Sequence, residues 1–407
     1  MKKNKLCLVL MLIIVFFANS IVFSKETGNV APQIYGQSAI TVDMQTGEII
    51  YEKNIDTRRY PASTTKLMTA ILLAENKDKN STLKYTKNAK MQPAASLNDD
   101  IHPIDIGDTM TALSAMDALL LYSANDIAYM IADNIGNGTS SFSDEMNKKV
   151  HEFGLKNTHF VTPNGLHNAD HYSTAYDMSI IAKHAFENPW IRETMSKPTS
   201  SIKTSKGLTF PLENRNKLLG KNGCIAGKTG YTIPAGRCLV AIYERSGRKM
   251  LGVVMKSVYD ADDTNVFNDM EKIIDWSYNK EPSTIFKKDS IITYKNLKYK
   301  PLGFGPSVKL SVPVIVSENV GYYDNSINKK ELKENISFNS INSDTLEGIS
   351  PIGTLNVSQR DCTKNYKLYS NLSKTDILKK SFHVYAMAII AAALLIYILV
   401  RKLRHLQ

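Results

Sequence analysis

Ser63 and Lys66 stand three residues apart in Pro61-Ala62-Ser63-Thr64-Thr65-Lys66-Leu67-Met68-Thr69-Ala70. A hydroxyl and an amine at that spacing share one face of a helix start. There the unpaired N–H groups and the helix dipole favour negative charge. A serine beside a lysine at such a place has the makings of an activated nucleophile, provided that the amine is held neutral. Two further short patterns follow in the chain. Ser123-Ala124-Asn125 offers a hydroxyl and an amide, and Lys228-Thr229-Gly230, with Gly227 before it and Tyr231 after it, offers a second cation and hydroxyl. Each pattern alone has an ordinary explanation. Ser63 would be a helix-start residue, Ser123 and Asn125 a capping pair, and Lys228-Thr229 a solvated strand edge. Their significance lies in occurring together and in order.

The elements that would position these residues are legible from the pattern of apolar side chains. Pro61 suits a first helical turn, and the apolar spacing to about Ala74 predicts a buried helix behind Ser63. Ser38–Asp43 and Glu48–Glu52 flank Met44-Gln45-Thr46-Gly47, a hairpin signal. Leu113 to Tyr122 and Ile127 to Ile135 predict two apolar helices, with the Ser123-Ala124-Asn125 break between them. Met146 to Phe153, Met178 to Phe186 and Asn268 to Tyr278 predict further helices, the second capped by Ser173 or Thr174. Thr162-Pro163-Asn164-Gly165-Leu166 reads as a turn. Strands are predicted near 226–231, 238–244 and 250–256. Strands therefore open and close the unit while helices fill its middle, which predicts an α+β arrangement with one antiparallel sheet and helices packed on it.

The 407-residue chain has room for more than one domain. Lys2, Lys3 and Lys5 precede an apolar run from Leu6 to Ala18 and small residues at Ser20 and Ser24, which predicts a signal peptide over 1–24 and an exported protein. Composition changes near Glu281-Pro282. The expected organisation is a catalytic domain over 31–280, a small β-rich domain over 281–360 and a polar linker over 361–381. A transmembrane anchor is expected over 382–400, with a cytoplasmic tail over 401–407. Arg401, Lys402 and Arg404 behind the apolar run predict that the bulk of the protein lies outside the cell membrane.

The formal charge is +11, but setting aside the three leader lysines and the three basic tail residues leaves +5. With no basic tract, nucleic acid is not an expected partner. Four cysteines, one of them Cys7 in the leader, are too few for a disulfide scaffold. Cys224 and Cys238 fall out of register on a hairpin turning near Ile233-Pro234-Ala235, too far apart for a bridge. No spacing of His or Cys suggests a metal, and His151, His159, His167, His171 and His184 read as surface residues.

The order S-x-x-K, S-x-N, K-T-G in an exported chain resembles the low-molecular-mass penicillin-binding proteins, the serine-type D-alanyl-D-alanine carboxypeptidases of peptidase family S11. The resemblance covers about residues 36–280, through Tyr60–Ala70, Leu119–Asp126, Asn157–Leu166, Tyr172–Met178 and Gly227–Val240. It implies the penicillin-binding-protein/β-lactamase-like transpeptidase fold, no cofactor and no metal. The implied substrate is a peptidoglycan stem peptide ending in D-Ala-D-Ala, with β-lactam antibiotics as inhibitors.

By that resemblance Ser63 attacks the penultimate D-Ala carbonyl, Lys66 takes its proton, and Ser123 relays a proton to the leaving amine. Asn125 holds the substrate amide, and Lys228 and Thr229 bind the terminal carboxylate. Gly230 leaves room for the substrate chain, and Tyr231 joins Ser63 in an oxyanion hole of backbone N–H groups. Glu213 and Arg215 are expected to line the cleft. The alternatives are a β-lactamase or related amidohydrolase on the same fold, or a catalytically silent penicillin-sensing or wall-binding protein. Ala124 and the want of an assignable general-base glutamate count against the first. Three intact motifs count against the second.

Overall fold

A computed structural model describes residues 30–93, 95–136, 139–301 and 303–404. The expected signal peptide and the last residues of the tail lie outside that range. The organising element is a five-stranded antiparallel sheet. Its strands are β1 (Ser38–Asp43), β2 (Ile49–Lys53), β7 (Cys224–Thr232), β8 (Gly236–Arg245) and β9 (Arg248–Ser257), in the order β2-β1-β9-β8-β7. Strand β1 pairs with β9 from Ser38↔Met255 to Asp43↔Met250, so the first and last strands of the unit meet in mid-sheet, as the sequence predicts. Two short pairs lie between them in the chain: β3 (Thr82–Lys84) with β4 (Thr109–Thr111), and β5 (Thr199–Lys203) with β6 (Thr209–Glu213).

The sheet separates two apolar cores, and the period of 2 along each strand sorts side chains between them. On β8, Val240 and Ile242 face a helical core, while Leu239, Ala241 and Tyr243 face the other side. The helical core is built by α1 (Lys66–Asn76), α2 (Ala112–Asp117), α3 (Asn125–Ile135), α4 (Thr139–Glu152), α5 (Ala175–Glu187) and α6 (Pro189–Met195). On the other face α7 (Asn265–Tyr278) lays Val266, Met270, Ile273 and Ile274 against the sheet. Thr174 caps α5 by accepting from Asp177 N.

The second domain departs from the expected boundaries. It holds β10 (Ser283–Phe286), β11 (Ile291–Tyr299), β12 (Val308–Val316), β13 (Val320–Tyr322), β14 (Lys333–Phe338), β15 (Gly353–Gln359) and β16 (Cys362–Ser370). Residues 362–370, expected in a polar linker, are the middle strand of a sheet ordered β11-β12-β16-β15-β14. The segment is polar because it is amphipathic. Cys362, Tyr366, Leu368 and Ser370 are buried, while Thr363 and Lys367 project outward. Only Asn371–Ser373 separate this strand from α8 (Lys374–Arg404), so there is no stalk. Helix α8 is long and apolar enough to cross a membrane.

This domain is fastened to the edge of the main sheet marked by β2. Arg360 forks to both oxygens of Asp56 at 2.7 and 2.9 Å and also donates to Glu331. Lys364 pairs with the buried Glu48 at 2.6 Å. Asn325 and Asn328 both donate to the Ile49 carbonyl, which joins an edge strand to a short helix of the second domain, Ser326–Glu331, and the residue that caps it. The buried Glu48 would be left unpaired without Lys364, and Arg360 is held by carboxylates of both bodies, which together oppose free motion between them.

Candidate active site

The site sits at the opposite edge of the sheet, on β7. Residues Ala62–Thr65 form one 3-10 turn before α1 begins at Lys66. With three residues per turn, positions i and i+3 eclipse, so Lys66 lies directly over Ser63 and its Nζ is 2.9 Å from Ser63 Oγ. The turn is entered through Ala62 at φ 48°, a left-handed conformation unusual for a residue with a side chain. Strain of this kind persists only where surrounding structure imposes it. Thr64 ties the turn down by donating through its hydroxyl to the Pro61 carbonyl at 2.7 Å.

Ser123 and Asn125 reach the same cleft through a second irregularity. Helix α2 widens into a π turn over Ala118–Tyr122, and Ser123 then takes φ 72° before α3 starts. Such widened turns re-aim side chains, here the Ser123 hydroxyl. Asp126, wholly buried, fixes the break from behind by accepting from Tyr85 Oη and from the amides of Leu97 and Asn98. Lys228 projects from β7 and donates to Ser123 Oγ at 2.8 Å and to the Thr229 carbonyl at 3.0 Å.

Ser63, Ser123, Asn125, Thr229, Gly230 and Tyr231 all line one cavity of about 1040 Å³. Lys66 and Lys228 lie beneath its floor, 0% and 1% exposed. Glu213, the last residue of β6, and Arg215 just after it line the same cavity, with the Arg215 guanidinium over the Tyr122 ring, and sequence periodicity did not single out the β5–β6 hairpin that carries them. Tyr231 stacks near Tyr259 at 5.1 Å, with the Arg237 guanidinium over both rings and paired to Asp263.

Gly230 differs from expectation in what it accommodates. A Cβ there would lie 2.9 Å from Ser63 N and 3.1 Å from Thr64 N and the Pro61 carbonyl. The space a side chain would need is filled by the protein's own nucleophile turn, so bare backbone lets β7 approach it.

Both lysines are driven toward neutrality. Burial holds Lys66 well below the usual lysine range, with the cations of Lys228 and Arg215 adding to the effect and Asp126 opposing it. Burial, then Arg215, brings Lys228 down to about 7.

Three contributors to the site escaped the motifs. The Asn164 carbonyl accepts from Lys66 Nζ at 2.9 Å, Thr69 Oγ1 donates to the Pro163 carbonyl, and Gly165 packs under Ala62. The predicted turn is thus part of the site. His171 corrects the surface reading given to the histidines, being 1% exposed. Its Nδ1 lies 3.0 Å from Val161 N and so accepts, which places the proton on Nε2, donating to Thr65 Oγ1 at 2.9 Å. A lone histidine between two loops gave no periodic signal that it was a tie between elements. Cys224 and Cys238 are buried free thiols, opposite Tyr243 and Gly230 respectively, so they face neither each other nor a common partner.

The His171 tie predicts acid sensitivity. Burial, with a smaller contribution from His159, pushes its pKa down to about 3. An unfolded histidine titrates near about 6.5, so below that pH the unfolded chain takes up a proton that the folded one refuses. The stability due to neutral His171 is whole above that value and declines as pH falls toward the folded value. Urea midpoints should therefore drop from about pH 7 to about pH 5, a window above most carboxylate titration. A His171→Gln variant should show a flatter profile, and equal slopes for the two proteins would contradict this role.

Comparison with known proteins gives a consistent family. Residues 25–258 match the Peptidase S11 family, D-alanyl-D-alanine carboxypeptidase. The chain is 29% identical over 343 residues to the D-alanyl-D-alanine carboxypeptidase DacF of Bacillus subtilis, covering 83% of this chain and 87% of that one. It is 32% identical over 255 residues to the D-alanyl-D-alanine carboxypeptidase of a Streptomyces species, covering 58% and 87%. Among solved structures, a D-alanyl-D-alanine carboxypeptidase of Mycobacterium tuberculosis superposes with TM-score 0.58 at 26% identity, covering 63% of this chain and 96% of that one. The DD-transpeptidase of the Streptomyces species superposes with TM-score 0.54 at 29% identity, covering 61% and 99%.

Proposed function

The chain belongs to peptidase family S11, the serine-type D-alanyl-D-alanine carboxypeptidases, and from that premise we propose how its own residues carry out the reaction. The substrate is a peptidoglycan stem pentapeptide ending in D-Ala-D-Ala. Ser63 Oγ attacks the carbonyl carbon of the penultimate D-Ala while its proton passes to Lys66 Nζ. The C–N bond to the terminal D-Ala then breaks, and the leaving amine takes that proton from Lys66 by way of Ser123, which leaves Lys66 neutral again. Water next attacks the acyl-enzyme ester, giving its proton to Lys66, and Lys66 hands that proton to Ser63 Oγ as the ester bond breaks and the shortened peptide leaves. Penicillin enters by the same attack on its β-lactam carbonyl.

One observation carries the reading. Lys66 Nζ has three neighbours at 2.9 Å: Ser63 Oγ, Asn125 Oδ1 and the Asn164 carbonyl. A neutral amine has two N–H donors and one lone pair. The Asn164 carbonyl can only accept, and Asn125 presents its carbonyl oxygen. They use both donors, which leaves the lone pair for the proton of Ser63. The closed floor also keeps the amine neutral enough to act as a base. Thr229, with Lys228 behind it, supplies the donors for a terminal carboxylate, which accounts for action at a free C-terminus. The backbone N–H groups of Ser63 and Tyr231 serve the developing oxyanion.

Helix α8 anchors the protein in the cell membrane. Arg401, Lys402 and Arg404 at its end favour the cytoplasmic side, which supports a catalytic domain outside the cell.

The test is to incubate the protein with a D-Ala-D-Ala-terminated pentapeptide and with fluorescent penicillin. Release of D-Ala and a lasting adduct mapped to Ser63 are expected. Rapid turnover of penicillin, or labelling without D-Ala release, overturns the reading.

A further inference from the structure

The absence of a stalk has a consequence at the level where α8 leaves the protein. Ile377 and Ser381 are buried, and Tyr385 packs partly against the core of the second domain. These residues are four apart, so one stripe of α8 lies on that domain for two turns and is held there by β12. Beyond Ala388 every described residue of the helix is exposed. The last contact with the folded body, Tyr385, thus falls at the start of the apolar run 384–400. No gap separates the domain from the segment proposed to cross the bilayer.

At that same level a loop of the second domain presents Phe304 to solvent, 71% exposed, from between β11 and β12. Tyr385 Oη donates to the Phe304 carbonyl at 2.7 Å, and Gly305 lies against the Tyr385 ring, 3.0 Å from it if given a Cβ. Phe382, 68% exposed, and His383 flank the helix there. Exposed Lys300 on the loop side and Lys379 and Lys380 on the helix add positive charge just above. Aromatic rings at the start of an apolar span with lysines beside them are the composition of a membrane–water boundary.

We propose that the second domain sits directly on the outer bilayer surface, with Phe304 inserted at the headgroup level beside Tyr385 and the lysines facing anionic lipid. This inference rests on the reading of α8 as a membrane anchor. With the Arg360 and Lys364 ties fastening the second domain to the edge opposite β7, it sets the catalytic cleft at a fixed height and orientation above the membrane.

The test uses the full chain in vesicles of phosphatidylcholine and phosphatidylglycerol carrying lipids brominated near the carbonyl or deep in the acyl chain. Phe304→Trp adds one emitter to Trp190 and Trp276, both in the catalytic domain. Tyr294→Trp, at an exposed site farther up β11, serves as comparison, and flotation reports incorporation. The emission added by Phe304→Trp should be lost to shallow bromines more than to deep ones, and that added by Tyr294→Trp should survive both. If the vesicles carry the protein but the added Phe304→Trp emission survives, the seating is wrong while the anchor stands. Equal quenching of both variants means that the domain lies flat, which also overturns it. If the protein does not float, the anchor reading falls and this inference falls with it.

Discussion

Lys66→Arg is expected to lower D-Ala release and penicillin acylation by about 10²–10⁴-fold, the range for removing a general base. Arginine keeps the charge a lysine would have, and it cannot give up that charge within a protein. If Lys66 acted as a cation toward the substrate, the exchange would be mild. If it acts as proposed, through a lone pair aimed at Ser63 Oγ, the exchange removes the function itself. The buried floor sharpens the contrast, since Lys66 is 0% exposed and stands near Lys228 and Arg215. A permanent charge there adds repulsion that the neutral amine avoids, so the Arg variant should also melt earlier. Lys66→Met separates chemistry from crowding, being unbranched and uncharged. It should fold, bind substrate and fail to acylate. Acylation by the Arg variant at a rate near that of the native protein would rule out Lys66 as the base.

How much of this was legible in the sequence depends on how local each feature is. Ser63 and Lys66 are read correctly as neighbours because one helical turn joins them, and Ser123 and Asn125 because a polar break between two apolar helices has few other uses. The main sheet is legible because the middles of β8 and β9, residues 238–243 and 250–255, are continuous apolar runs and the strands are joined at Ser246-Gly247. What escaped depends on distance or on a second partner. The Asn164 carbonyl is backbone, and no side-chain type advertises it. His171 works only because Val161, Thr162 and Thr65 converge on it from two elements. Strand β16 was hidden by its outward face, where Lys364 serves the other domain's Glu48 rather than solvent. Asp126 reads as one more polar residue in the helix break, although it anchors a loop nearly thirty residues back.

Gly165 is the position where these non-local constraints can be tested most severely. Its φ is +82°, and a Cβ built there would fall 1.9 Å from the Ala62 carbonyl oxygen and 2.7 Å from Thr65 Oγ1. Neither neighbour has an easy retreat. Ala62 is itself left-handed and leads directly into Ser63, and Thr65 is held by His171. Gly165→Ala must therefore push the nucleophile turn outward or move the Asn164 carbonyl away from Lys66. A displacement of about 1 Å at reacting groups costs on the order of 10²-fold in rate, so penicillin labelling and D-Ala release should fall by at least that much. The left-handed backbone alone accounts for only about 1–2 kcal/mol of stability. Gly154→Ala isolates that smaller effect, because Gly154 has φ +69° with nothing within 4 Å of the added carbon. It should melt slightly earlier and retain full activity. The two variants share the backbone penalty and differ in the clash, so the difference between them measures how tightly the 162–166 turn sets Ser63 and Lys66. If Gly165→Ala matches Gly154→Ala in acylation rate, the turn only covers the site, and the Asn164 carbonyl has no part in orienting the base.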